Sequence, residues 1–345
     1  MPVVVPFRGL RYALSSKIKL SRLVAPPYNV ISPSEQNALY KRSPQNVVRV
    51  AYGRVRKSDH NKNNRYTRAK EIFSEWQRDG VLTRYRHAAF YPYRQRYKSD
   101  GRSFERWGMI GLIRLGDPSI FLHETTHPSP KEDRLKLIRA TRTNLSPIFG
   151  QVEDAGGRYR DMLNAHSNSK PLMAVEYDGV THEIWRQNSP RQLRQMEGIL
   201  KDRGMLIADG HHRYEVALAY RDGVKRKRKQ FSRQHPSNFL MTYLAASDES
   251  DPGILPTHRI MVAQKDCNLN QLDKAQVSVE RFSSSQAMLA NLQQKNHGPN
   301  VGCYAGAGEW AIVSSAEKRQ KNQLPVEFLH HSILPKIQGS LSSRD

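Results

Sequence analysis

Asp209-Gly210-His211-His212-Arg213 is the densest run of chemically useful side chains in this sequence: a carboxylate, a glycine, two imidazoles and a guanidinium in five positions. The apolar run Met205-Leu206-Ile207-Ala208 before it has the length of a strand and is bounded by Gly204. Asp-Gly favours a tight turn. Beyond it, Tyr214, Ala217 and Leu218 recur at helical spacing. Residues 204–221 therefore predict strand, tight turn and helix, with the five residues in the turn. A helix N-terminus carries unpaired N–H groups and a partial positive charge, so it attracts anions. Gly210 would let a phosphate approach the backbone, and Arg213 would offer it a planar fork. His211 and His212 add donors, or a proton carrier near neutral pH. Asp209 would be repelled by a phosphate unless a cation such as Mg²⁺ lay between them. The plainer alternative is that Asp209 caps the helix and the histidines are surface polar residues.

A second cluster lies at residues 120–150. The short apolar lead Ile120-Phe121-Leu122 reaches His123-Glu124, and a proline-marked loop then precedes a helix from about residue 130 to 142. Glu124 at a strand end is a candidate general base for a hydroxyl proton. The alternative is a salt bridge to a nearby cation. His123, Glu124 and His127 match no closed zinc spacing, so metal ligation by the histidines ranks low. Lys131 and Arg134 place positive charge on the following helix, and Thr257-His258-Arg259 offers a second anion contact or an ordinary strand end.

The elements that must hold these residues alternate in type. Ser32-Pro33-Ser34-Glu35 is a capped helix start running to Tyr40. The β-branched run at 46–52 reads as a strand, 57–64 as a polar loop, and 66–78 as an amphipathic helix ended by Gly80. Strands are expected at 88–96 and 106–115 around Asp100-Gly101, and again at 175–177 and 181–185 around Asp178-Gly179. A helix is expected at 190–204 and a buried strand at 238–246, with mixed helix and strand signals to residue 338. No internal repeat stands out.

The chain has 345 residues, 38% hydrophobic and 25% charged, which suits two or three globular domains. No apolar span reaches transmembrane length, and the apolar N-terminal patch is too short and proline-broken for a signal peptide. Two cysteines cannot build a disulfide framework and fit a reducing cytoplasm. With 55 Lys+Arg against 32 Asp+Glu the net charge is +23, a field that attracts polyanions. The dense run 225–229 is expected in a loop. It reads first as a solvated loop rather than a nucleic-acid patch, because no known nucleic-acid-binding motif accompanies it.

Six stretches in order, PFRGLRY (6–12), VAPPYNVIS (24–32), NRYTRA (64–69), HETTHPSPKEDRLKLIRATRTNLSPIFG (123–150), LIADGHHRYEVALAYRD (206–222) and ILPTHR (254–259), resemble the bacterial family catalogued as domain of unknown function 1015. Its central part resembles the ParB/sulfiredoxin superfamily, in which a His-Glu pair precedes a Gly-His-His/Thr-Arg phosphate-binding turn. Relatives include nucleotide-binding partition proteins and free-serine kinases.

The resemblance implies an α+β fold with a ParB/sulfiredoxin-like central module and flanking α/β modules. The modules would be 1–116, 117–262 and 263–345, the last truncated relative to the family. It implies Glu124 as base, with His123 and His212 beside it. Gly210, His211, His212 and Arg213 would hold phosphate and Asp209 the metal, with Mg²⁺ and ATP or ADP as cofactors. Asn29, Lys131, Arg134, His258 and Arg259 are candidate substrate or second anion contacts. Asn29 stands where the family usually carries Asp, which weakens any metal or amine contact there. The leading reading is a kinase that converts a free hydroxyl, serine first, to its phosphate. A nucleotide-binding, DNA-binding regulator and an inactive paralogue are the alternatives. The implied partners are a nucleotide and a small hydroxyl compound, with nucleic acid second and no membrane.

Overall fold

Nine strands of the first unit join in one mixed sheet. The computed structural model describes residues 3–13, 19–99, 101–122, 128–154, 156–201, 203–247, 272, 277–295, 298–306, 308–315 and 325–337. The chain divides into two compact units, Met1–Ile254 and Leu255–Asp345. In the first, the strands are β1 (Val4–Val5), β2 (Leu10–Tyr12), β3 (Leu82–Arg84), β4 (Tyr91–Ser99), β5 (Arg102–Arg114), β6 (Ile120–Phe121), β7 (Ile148–Glu153), β8 (Met173–Tyr177), β9 (Val180–Ile184), β10 (Met205–Asp209) and β11 (Phe239–Ser247). The helices are α1 (Pro33–Arg42), α2 (Val48–Ala51), α3 (Arg65–Arg78), α4 (Pro128–Thr141), α5 (Arg158–Asn164), α6 (Pro190–Leu200) and α7 (His211–Arg226).

The sheet order is β6-β10-β7-β11-β5-β4-β9-β8, with β1 along β5. Two pairings are parallel, β6 with β10 and β7 with β11; the others are antiparallel. β2 and β3 form a separate small ladder. The expected division after residue 116 falls inside this sheet, because β5 pairs with β11 from Arg114↔Phe239 to Gly108↔Ala245. The main core is built from Phe90, Met109, Ile113, Ile148, Met205, Ile207 and Leu244, all fully buried. At about 25 cal/mol per Å² of apolar surface, such burial is the main term holding the sheet and its helices together.

Several local expectations change. The β-branched run at 46–52 is not a strand but the short helix α2. Asn46 Oδ1 accepts from the Val48 amide at 3.0 Å, and its Nδ2 donates to the Arg22 and Val24 carbonyls, both at 2.9 Å. With Val48 and Val50 fully buried, packing and these hydrogen bonds override β propensity. The stretch expected only to stop a helix, 144–150, runs into β7, whose Gly150 leaves room for Met205: a Cβ there would sit 2.8 Å from Met205 Sδ. The helix expected to reach residue 204 ends at Leu200. The basic run starts inside α7, which continues to Arg226.

The second unit contains β12 (Val277–Phe282), α8 (Ser285–Gln294), β13 (Asn300–Tyr304) and β14 (Trp310–Ser315), with β14 central in an antiparallel sheet. A helical stretch follows, Pro325–Phe328, Leu329–Ile333 and Leu334–Ile337. Leu272, Ala311, Val313, Phe328 and Ile333 form its core. Among the described residues no helix is long and apolar enough to cross a membrane.

Candidate functional site

β10 carries the chain to Asp209, and the ladder with β7 shifts register between Ile207 and Asp209. Irregularities of this kind re-aim side chains at strand ends. Gly210 then turns the chain at φ 99° and is itself the N-cap of α7, with no side chain of its own to offer the helix. Gly210, and not Asp209, therefore occupies the cap position of α7. A left-handed φ strains any L-residue, and a Cβ at Gly210 would stand 2.8 Å from Ile148 Cγ2 and 3.0 Å from Arg213 Nε. Only glycine fits where the guanidinium folds back over the turn.

Arg213 is 15% exposed and ion-pairs with Asp209, which is 58% exposed. Its other terminal nitrogen donates to the Pro147 carbonyl and lies 3.5 Å from Ser146 Oγ. The arginine thus ties the turn to the segment entering β7. His211 is buried and His212 half-buried in the first helical turn.

β6 runs parallel to β10, with Ile120 opposite Met205 and Phe121 opposite Leu206. The chain therefore leaves both strands at the same end of the sheet. After β10 comes the Asp209–Arg213 turn; after β6 comes the segment that opens with His123-Glu124. His123, Glu124, His258 and Arg259 lie outside the described residues.

The helix after that segment, α4, packs between α3 and α7. Lys131 donates to Glu215 of α7 at 2.9 Å, so the cation expected to contact an anion is paired with a carboxylate one turn from the Asp209–Arg213 turn. Arg134 lies over the Tyr28 ring, 4.0 Å from its centre, a cation–π contact. It also donates to the Ala51 carbonyl at 2.9 Å and through Nε to Asp133 at 2.8 Å. Asp133 in addition accepts from the Tyr66 hydroxyl at 2.6 Å and ion-pairs with Arg65. Burial would raise the Asp133 carboxyl, but Arg134, the Tyr66 hydrogen bond and Arg65 outweigh it and hold it below its usual value. The Tyr28 hydroxyl is pushed up, first by burial; Arg134 and Arg213 oppose the shift, while Asp133 and Asp209 add to it. One tyrosine therefore lies within the fields of both the α4 cluster and the Asp209–Arg213 turn. Asn29, next to it, is exposed.

Segments 24–32, 64–69, the described part of 123–150, and 206–222 thus meet on one side of the first unit. This chain belongs to the family described as "Protein of unknown function (DUF1015)". The family model matches residues 4–332, a span that includes both units. No curated protein and no solved structure matches the chain.

Within this family member, Tyr28, Tyr52, Arg65, Tyr66 and Asp133 form a contact network around Arg134 of α4, Tyr52 through its ring contact with Tyr28, although residue-by-residue reading did not single them out. Each except Tyr52 lies inside one of the quoted stretches, and that membership was the available signal. Mg²⁺ keeps several waters and takes one or two carboxylates beside nucleotide phosphates. Exposed Asp209 suits that limited role. Among the described residues no group of three His, Cys, Asp or Glu side chains forms an all-protein metal cage, which Mg²⁺ on a nucleotide does not need.

Proposed function

We propose that the first unit is a nucleotide-dependent kinase with a ParB/sulfiredoxin-like core, which phosphorylates the hydroxyl of a free small molecule, serine first. What carries the reading is the parallel pairing of β6 and β10. It sends the His123-Glu124 segment and the Asp209–Arg213 turn out of the same sheet end, where α/β sheets hold ligands.

The roles follow from the side chains. The terminal phosphate of ATP or ADP lies against the N-terminal turn of α7, where Gly210 as N-cap leaves space beside the backbone. His211 contributes its amide rather than its ring, since the side chain is buried. Arg213 exchanges one of its protein acceptors for phosphate oxygen, and the displaced Asp209 carboxylate would hold Mg²⁺. The ion, when bound with the nucleotide, neutralises phosphate charge. Glu124 takes the proton of the acceptor hydroxyl as its oxygen bonds to the terminal phosphorus. The bond from that phosphorus to the bridging oxygen breaks, and ADP leaves from ATP, or AMP from ADP. His123 and His212 supply hydrogen bonds to the moving phosphoryl group. Most of the acceleration comes from positioning and charge stabilisation.

The experiment is to incubate the full chain with Mg²⁺, serine and either ATP or ADP, and to follow O-phosphoserine by ³¹P NMR. Product dependent on both nucleotide and serine is expected. Absence of product with serine and with a panel of small hydroxyl compounds would overturn the kinase reading.

A further inference from the structure

A basic cleft lies at the C-terminal end of α7. The cleft, of about 910 Å³, opens between the C-terminal parts of α4 and α7. Arg139 and Arg142 line one wall and Arg226, Lys227 and Arg228 the other, and no Asp or Glu is among the described lining residues. All five cations are exposed. None forms an ion pair with another described residue, whereas Arg65, Arg68, Arg94 and Arg203 are each paired with a carboxylate.

Helix ends account for part of this charge. Arg139 lies in the last turn of α4 and Arg226 in the last turn of α7, where cations complement the helix dipole. Arg142, Lys227 and Arg228 lie beyond those turns. Arg142 also holds a left-handed backbone, φ 52°, while its amide closes α4 on the Ile138 carbonyl at 2.8 Å. Glycine or asparagine is the usual residue at such a position. An arginine kept there against backbone preference points to use of its side chain.

We infer that this cleft binds single-stranded nucleic acid. A groove lined with unpaired cations and an accessible aromatic ring is the arrangement that tracks a phosphodiester backbone while stacking its bases. Half-buried Tyr220 supplies that ring within the same lining. An anionic membrane would instead call for an amphipathic face with exposed apolar residues beside the cations. The cleft is separate from the phosphate turn: Arg226 is thirteen residues beyond Arg213 along α7, or roughly 20 Å at 1.5 Å per residue. The inference is therefore independent of the kinase reading.

The test is fluorescence anisotropy of the full chain with labelled twelve-nucleotide RNA, DNA of the same sequence, and the corresponding duplex, between about 50 and 200 mM salt. Single strands are expected to bind, with log affinity falling against log salt at a slope of about −3.5 for five contacts. A preference for one sugar identifies the natural strand and supports the proposal. Arg139→Glu/Arg226→Glu/Arg228→Glu should weaken binding at least ~10-fold and flatten the slope. The neutral set Arg139→Gln/Arg226→Gln/Arg228→Gln, which spares the helix end a reversed charge, should move in the same direction. Lys70→Glu/Arg84→Glu/Arg191→Glu changes net charge equally at exposed positions away from the cleft and should cost under ~3-fold. Equal losses in the two charge-reversed sets, duplex binding as tight as single strand, or no binding at low salt would overturn it.

Discussion

Asp133→Asn is the most informative single change to the scaffold of the site. Asp133 is 18% exposed and receives Arg65, the Tyr66 hydroxyl and Arg134. Arg134 is 10% exposed and Arg65 21%. Asparagine keeps the shape and one acceptor but removes the charge, leaving two guanidinium groups together in a poorly hydrated place. Exposed pairs contribute under about 1 kcal/mol, while breaking a buried pair costs about 3–5 kcal/mol. With exposures this low the expected loss is about 3 kcal/mol, near the lower end of the buried range. For a unit of this size that is a fall in Tm of about 6–12 °C. Tryptophan fluorescence is a suitable readout, because Trp76, Trp107 and Trp185 lie in the first unit and only Trp310 in the second.

The effect should also depend on pH. The folded Asp133 carboxyl is held below its usual value. Its stabilisation is therefore complete above the unfolded carboxyl pKa, about 4, and disappears as pH falls through the lower folded value. The gap between wild type and Asp133→Asn should be constant from about pH 8 to 5 and close below about pH 4. A Tm change under about 2 °C, or a gap as wide at pH 3 as at pH 7, would refute this reasoning.

Two further substitutions test the turn and the chemistry. Gly210→Ala must accept φ 99° and a Cβ 2.8 Å from Ile148 Cγ2; urea unfolding should show a loss of about 2 kcal/mol, and a loss below about 0.5 kcal/mol would contradict the packing described. Glu124→Gln should lower phosphoserine formation at least ~100-fold while nucleotide affinity stays within about twofold; normal turnover would show that another group takes the proton.

The chemistry-bearing turn was legible because its signals are local. An apolar run, Asp-Gly and helical spacing predict β10, the turn and α7 without help from the rest of the chain. The hairpins β4–β5 and β8–β9 were legible for the same reason. Elements set by distant neighbours were not. α2 is helical because Asn46 reaches back to Arg22 and Val24 while Val48 and Val50 are buried. β7 was hidden because the glycine that lets Met205 approach reads locally as a strand breaker. The contact network around α4 has the same origin: Tyr28, Tyr66 and Asp133 are far apart in sequence, and the packing of α4 against α3 and α7 brings their charges and rings together. The motifs marked these stretches as important, but the partner of each side chain came from the fold.

The central claim is that the Asp209–Arg213 turn holds phosphate, and calorimetric titration of Mg²⁺–ATP and Mg²⁺–ADP into wild type, Arg213→Ala and Arg213→Lys tests it most directly. Removing the fork should weaken nucleotide binding at least ~10-fold, and lysine, which restores the charge without the planar geometry, should recover part of it. Unchanged nucleotide affinity in a folded Arg213→Ala protein, or no binding by wild type at all, would contradict the account.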